Sequence, residues 1–192
     1  TSVITGKNDH QSLASGLPMG ERFHSAHVVR LTDAKPMELG HAIEVGHRWT
    51  LFAFAPDGDP GDTTSAMWSV LDRLQNDPAS PIKRCIEAGQ DPDSLLDLRV
   101  IYQQGFRDIE WGSLHPALRP AKGKYGLTDY EKVFCTDGTG NPDIYDLRGI
   151  DRTQGALILV RPDQYISQIL PLSQTDVLFS NLNSVWSVKT GA

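Results

Sequence analysis

Near its end the chain reads Gly155-Ala-Leu-Ile-Leu-Val-Arg-Pro-Asp-Gln-Tyr-Ile-Ser-Gln-Ile-Leu-Pro-Leu172. Ala156 to Val160 is an unbroken apolar run rich in strand formers, the pattern of a strand covered on both faces. Arg161-Pro162-Asp163 supplies a turn, because proline fixes φ and the aspartate side chain bonds nearby backbone. Tyr165-Ile166 and Ile169-Leu170 continue as a second strand paired to the first, and Pro171 ends it. The expected ending is therefore a buried strand pair that carries no catalytic residue.

Outward from that pair, Val177, Leu178, Leu182, Val185 and Trp186 have the spacing of a short amphipathic helix that docks on the body. Upstream, Val28 to Leu31 predicts a strand closed by a turn over Thr32 to Pro36. Trp49 to Ala55, dense in aromatic and apolar residues and ended by Pro56-Asp57-Gly58, predicts a stronger one. Asp62-Thr63-Thr64 is a candidate cap for a helix whose Met67, Val70, Leu71 and Leu74 form one face, ended at Asn76-Asp77-Pro78. Pro81 to Ala88 predicts a helical turn carrying Cys85. In Leu95 to Tyr102 the residues Leu96, Leu98, Val100 and Tyr102 alternate with Asp97, Arg99 and Ile101, as in a strand. Gly105 to Gly126 shows no regular pattern, and so long an interior loop points to function or to partner contact. Asp129 to Phe134 begins another ordered piece, followed by a turn cluster at Thr136 to Pro142. Tyr145 to Asp151 leads into the opening strand.

The 192 residues suit one well-cored domain. A net charge of −6 argues against a nucleic-acid groove or an anionic membrane surface as the main partner. No apolar run reaches the roughly 20 residues that a spanning helix needs. Thr1 to Ser15 lacks the apolar core of a signal peptide, so a cytoplasmic location is expected. The turn formers Gly6, Asn8-Asp9, Gly16, Pro18 and Gly20 make the opening read as a connector, with the linker at residues 1–25 and the domain at 26–192. The first residue is not Met, which leads us to expect chain upstream.

Each catalytic constellation has a plainer reading beside it. His24, His27, His41 and His47, with Asp33 or Glu44, offer metal-ligand chemistry only if folding gathers them. Cys135 beside Asp137, with a distant His115, sketches a nucleophile and base, although such a cysteine commonly serves as a small buried hydrophobe. Cys85 and Cys135 match neither a C-x-x-C pair nor a zinc spacing, and are expected as separate thiols. Asp57-Gly58-Asp59-Pro60-Gly61-Asp62 lacks the distal glutamate of a calcium loop. The carboxylate pairs Asp57 with Asp59 and Asp91 with Asp93 read as solvated loop charge. Gly138-Thr139-Gly140 places Asp143 where a dinucleotide fingerprint needs its third glycine. No catalytic, cofactor-binding or metal residue is therefore assigned.

Gly20-Glu21-Arg22-Phe23, Arg30-Leu31-Thr32-Asp33, Arg48 to Phe54, Tyr145 to Asp151 and Gly155 to Leu172 together resemble the C-terminal domain of the flavin-dependent phenol hydroxylase family. The entry through Gly149-Ile150-Asp151 and Gly155-Ala156 into Leu159-Val160-Arg161-Pro162-Asp163-Gln164-Tyr165 is the most specific part. The resemblance implies an α/β, thioredoxin-like domain: a mixed sheet flanked by helices, here without C-x-x-C. It also implies upstream FAD-binding and substrate-binding domains in the same polypeptide, and a homo-oligomer. The complete enzyme would use FAD, NADPH and dioxygen to hydroxylate a phenolic substrate such as 3-hydroxybenzoate or phenol. This chain would contribute structure and subunit contact, with no catalytic residue or cofactor of its own. The alternative is a stand-alone thioredoxin-like thiol peroxidase using Cys85 or Cys135.

Overall fold

The computed structural model of the chain describes residues 9–44, 46–87, 90–138 and 142–186. Its main strands are β1 (His27–Arg30), β2 (Lys35–Glu38), β3 (Trp49–Phe54) and β4 (Leu96–Gly105). A two-stranded hairpin, β5 (Ala121–Lys122) and β6 (Leu127–Thr128), precedes β7 (Val133–Thr136), β8 (Ala156–Val160) and β9 (Ile166–Leu170). The helices are α1 (Ala66–Asn76), α2 (Pro81–Cys85), α3 (Ile144–Arg148) and α4 (Thr175–Val185). Seven strands make one mixed sheet in the order β2-β1-β7-β4-β3-β8-β9, with β3, β4 and β7 parallel at its centre.

The side-chain period of two splits this sheet into two cores. Leu51 and Ala53 of β3, Leu96, Leu98 and Val100 of β4, and Leu157 and Leu159 of β8 face α1 and α4. Met67, Val70, Leu71 and Leu74 of α1 meet them, as their helical spacing predicts. Phe52, Phe54, Ile101, Phe134 and Ile158 point to the opposite face, covered by α3 and by residues of the opening segment. β8 is buried along its whole length, as its apolar run predicts, and β9 pairs antiparallel to it as expected; β9 is buried throughout as well, Ser167 and Gln168 included.

Gly155 shows why this closing pair starts where it does. Its φ is +66°, and a Cβ there would lie 2.4 Å from the Phe54 carbonyl oxygen, so only glycine fits against β3. Gly149, at φ +55°, closes α3 in the left-handed conformation typical of helix ends.

Several expectations are corrected. Lys35 and Pro36 belong to an edge strand, β2, where the missing N–H of proline costs no interior ladder bond. Ser65 caps α1, its hydroxyl accepting from the Trp68 N–H at 3.1 Å, while Asp62 turns back onto Thr64. Tyr145 to Arg148 form a short helix held by a capping box of Asp143 and Asp146. Gly105 to Gly126 is not structureless: two 3-10 turns and strand β5 fall within it, and Ile109, Leu114 and Leu118 anchor it in the core.

Residues 1–25 read as a connector, yet from His10 onward the chain is part of the body. Leu13, Ala14, Leu17 and Met19 are buried against the sheet. Gly20 N–H donates to the Ile166 carbonyl at 2.9 Å and Ile166 N–H to that of Glu21 at 2.8 Å, tying the segment to the start of β9. Turn formers disfavour long regular elements, and the segment holds only a 3-10 turn at Gln11–Leu13, but such backbone packs well when neighbouring elements supply its hydrogen bonds.

Candidate interaction surface

Open α/β sheets bind ligands at the carboxyl ends of their parallel strands, so chemistry is sought first beyond Phe54 and Tyr102. The acidic loop Asp57 to Asp62 lies there, beside a cleft of about 240 Å³ that Tyr102 and Thr153 also line. Its carboxylates serve the loop itself. Asp59 accepts from the Gly61 N–H, and Asp62 from both the N–H and the hydroxyl of Thr64. The Thr64 hydroxyl holds the Asp62 carboxyl below its ordinary range. Deeper in, the Tyr145 hydroxyl shares its proton between the carbonyls of Ala55, at 2.9 Å, and Ile101, at 2.8 Å. The side chain of Tyr145 is fully buried, its hydroxyl at the end of β3 and the middle of β4.

The nucleophile sketch does not assemble. Cys135 is buried on β7 with its Sγ 3.3 Å from the Val29 carbonyl, and burial pushes its thiol up to about 12. His115 sits against Trp68, with ring centroids 4.6 Å apart. Its Nδ1 accepts from the Ala117 N–H at 3.1 Å and its Nε2 lies 4.0 Å from Asp72. Burial holds this imidazole below its usual pKa, outweighing the attraction of Asp72. Cys85, half-buried on α2, lies 3.9 Å from the Trp186 carbonyl, and burial raises its thiol against the pull of Arg84.

The histidines are only partly gathered. His27 and His41 line one shallow cleft of about 560 Å³ beside β2, together with Arg30 and Glu44. His24 lies 4.0 Å from Glu21, Asp33 is engaged by Arg30, and Glu44 lies 3.0 Å from Arg48. Among the described residues no group of three or more His, Cys, Asp or Glu is placed to hold a metal. The residues present do not fit a dinucleotide either. Asp143, at the third-glycine position, turns its carboxylate onto the first N–H groups of α3, where a phosphate would be repelled. Thr139 and Gly140 lie outside the described residues.

The sequence reading missed a buried cluster of charges. Lys132 is 1% exposed, and its ammonium contacts Asp93, Asp97 at 2.6 Å and Asp129 at 3.6 Å. Lys122 of β5 contacts Asp93 and, at 2.8 Å, Asp129, while Arg99 closes the group on Asp97 at 2.6 Å. Burial opposes charge on Lys122, but its hydrogen bonds to Asp129 and Asp93 prevail and raise its pKa. Asp129 is correspondingly lowered, burial again being outweighed by Lys122. Asp93 is thus not the solvated loop charge expected. The signal was Asp97 and Arg99 on one side of an otherwise apolar strand, since charges that share a buried strand need partners.

This cluster fastens the base of the β5–β6 hairpin, whose tip is apolar and open. Tyr125 is 81% and Leu127 69% exposed, and Tyr130 just beyond packs its ring 5.7 Å from that of Trp111. Large apolar groups held in water on a fastened hairpin suit contact with another protein surface.

The profile of the phenol hydroxylase C-terminal dimerisation domain matches residues 1–189. The chain belongs to this family. It is 47% identical over 184 residues to a 3-hydroxybenzoate 4-monooxygenase of Comamonas testosteroni, covering 95% of this chain and 29% of that protein. An FAD-dependent monooxygenase, terD, of Aspergillus terreus is 35% identical over 179 residues, covering 89% of this chain and 28% of its own length. A phenol 2-monooxygenase, fsqG, of Aspergillus fumigatus is 29% identical, at 96% and 30% coverage. The chain therefore spans less than a third of the length of these relatives.

Solved structures share the fold at low identity. A peroxidoxin of Mycobacterium tuberculosis superposes with a TM-score of 0.53 at 12% identity, covering 89% of this chain and 99% of that one. The thioredoxin domain of a Bacteroides vulgatus thiol-disulfide oxidoreductase gives 0.51 at 11% identity, covering 89% and 99%. The dimerisation domain is thus thioredoxin-like, and its two cysteines do not form a C-x-x-C pair. No helix among the described residues is long and apolar enough to cross a membrane.

Proposed function

We propose that this chain is the non-catalytic dimerisation domain of a longer cytoplasmic flavoprotein that hydroxylates a phenolic substrate such as 3-hydroxybenzoate or phenol. FAD, with NADPH as its reductant, belongs in this reading to upstream domains of the same polypeptide, joined through the opening residues. The observation that carries it is the match over residues 1–189 to a family defined by dimerisation. Two features of the chain agree with that role. The cleft at the ends of the parallel strands is lined by carboxylates engaged within their own loop, and a fastened hairpin displays Tyr125 and Leu127.

A stand-alone thiol peroxidase is the weaker reading, because burial raises both thiols and a peroxidatic cysteine needs its thiolate. The test is light scattering of the purified chain during size exclusion, with an expected mass twice the 21.2 kDa of one chain. A monomer at every concentration overturns the dimerisation reading. Stoichiometric FAD binding with a flavin absorbance band overturns the assignment of the cofactor to other domains.

A further inference from the structure

Beside the hairpin lies an apolar groove of about 490 Å³. Leu96 and Leu98 of β4 line it, together with Ile82 and Ile86 at α2 and Ala117 and Pro120 from the loop before β5, while Lys83, Asp93 and Lys132 add charge to its wall. Pro120 is the residue before β5, so the hairpin springs from the edge of the groove. We propose that the dimer forms by reciprocal insertion: Tyr125 and Leu127 of each copy seat in this groove of the other. The proposal rests on the dimerisation reading and names its surface.

Three observations favour a second copy as the occupant. First, one chain carries both an exposed apolar knob and an apolar groove, and a two-fold contact requires such self-complementarity. Second, the two features adjoin, so a two-fold axis near Pro120 brings both insertions together.

Third, both sheet edges are partly closed to strand addition. Residues 20–23 pair with the start of β9 at Ile166, and the other edge, β2, is four residues long with Lys35 and Pro36 in it, which blunts pairing. Contact by side chains remains. A groove of this volume is within the range that takes a bulky apolar group, and the buried charges at Lys122 fix the direction in which the knob is offered.

The experiment measures the monomer–dimer equilibrium of the chain by sedimentation velocity. Tyr125→Asp/Leu127→Asp alters only exposed side chains, and Ala117→Glu places charge in the groove; circular dichroism checks that each folds. If Ala117→Glu fails to fold, Gln75→Trp at an exposed groove position replaces it. Each variant alone should weaken the dimer at least tenfold. A mixture of the two should form a heterodimer tighter than either variant alone, because one intact knob then meets one intact groove.

A wild-type dimer that neither variant weakens overturns the proposal and leaves dimerisation standing. Weakening by the knob variant alone, or a mixture with no gain, overturns the knob-in-groove pairing. A monomeric wild type overturns the dimerisation reading itself.

Discussion

Replacing Lys132 by methionine keeps the length of a side chain that is 1% exposed and deletes its charge. In the native cluster three carboxylates, Asp93, Asp97 and Asp129, balance three cations, Lys122, Lys132 and Arg99. Lys132→Met leaves one buried negative charge without compensation, a change that typically costs about 3–5 kcal/mol. For a chain of this length that loss lowers the thermal midpoint by roughly 6–20 °C. Urea unfolding followed by circular dichroism measures it.

The double variant Lys132→Met/Asp93→Asn restores the balance. Lys122 keeps Asp129 at 2.8 Å and Arg99 keeps Asp97 at 2.6 Å, so every remaining ion has a partner. It should be more stable than Lys132→Met alone, the opposite of additive damage. Because the cluster is buried, half-molar salt should leave the difference between wild type and Lys132→Met largely intact. A loss below about 1 kcal/mol, the range of exposed ion pairs, refutes the reasoning. So does a double variant no more stable than the single one.

Gly155→Ala forces φ +66° on a residue whose Cβ would press on the Phe54 carbonyl at 2.4 Å, and should cost at least about 2 kcal/mol in urea unfolding. Cys135, with its thiol at about 12, is about one part in ten thousand thiolate at pH 8. Under native conditions a disulfide reagent should therefore titrate Cys85 first and Cys135 only on unfolding; rapid labelling of Cys135 refutes its burial. His115 has a folded pKa below its ordinary 6.5, so the unfolded state takes up the proton first as pH falls. Stability should decline from about pH 6.5 down to the folded pKa, with an added slope of at most about 1.4 kcal/mol per pH unit. His115→Gln should flatten that slope, and an unchanged profile would remove His115 as its source.

The strands legible in the sequence were those whose pattern matches their burial. Ala156 to Val160 and Trp49 to Phe54 are apolar because both faces are covered, and α1 shows its stripe because one face is. Lys35 to Glu38 was illegible because an edge strand with proline looks like a turn until its partner is known. The opening segment was misjudged for a related reason. Leu13, Leu17 and Met19 are isolated apolar residues among turn formers, and only the edge of β9 gives them a place.

In the candidate surface, the irregular stretch from Gly105 pointed to function or to partner contact without choosing between them, and the open tip at Tyr125 lies within it. The groove was hidden because its residues come from segments remote in sequence. The charge cluster was hidden as well, since Asp93 and Lys132 are 39 residues apart and meet only when β4 and β7 align.

The Tyr145 hydroxyl has a mechanical consequence. It pins α3 to the end of β3 and the middle of β4, while Ser15 N–H and Gly16 N–H donate to the carbonyls of Gly149 and Arg148 at the close of that helix. His10 is tied in turn to Gln174 at 3.1 Å, next to the start of α4. A pull applied at His10 therefore reaches the central strands through hydrogen-bonded backbone and a single phenol, with no loose joint between. Between His10 and the central strands the domain should transmit force as a strut.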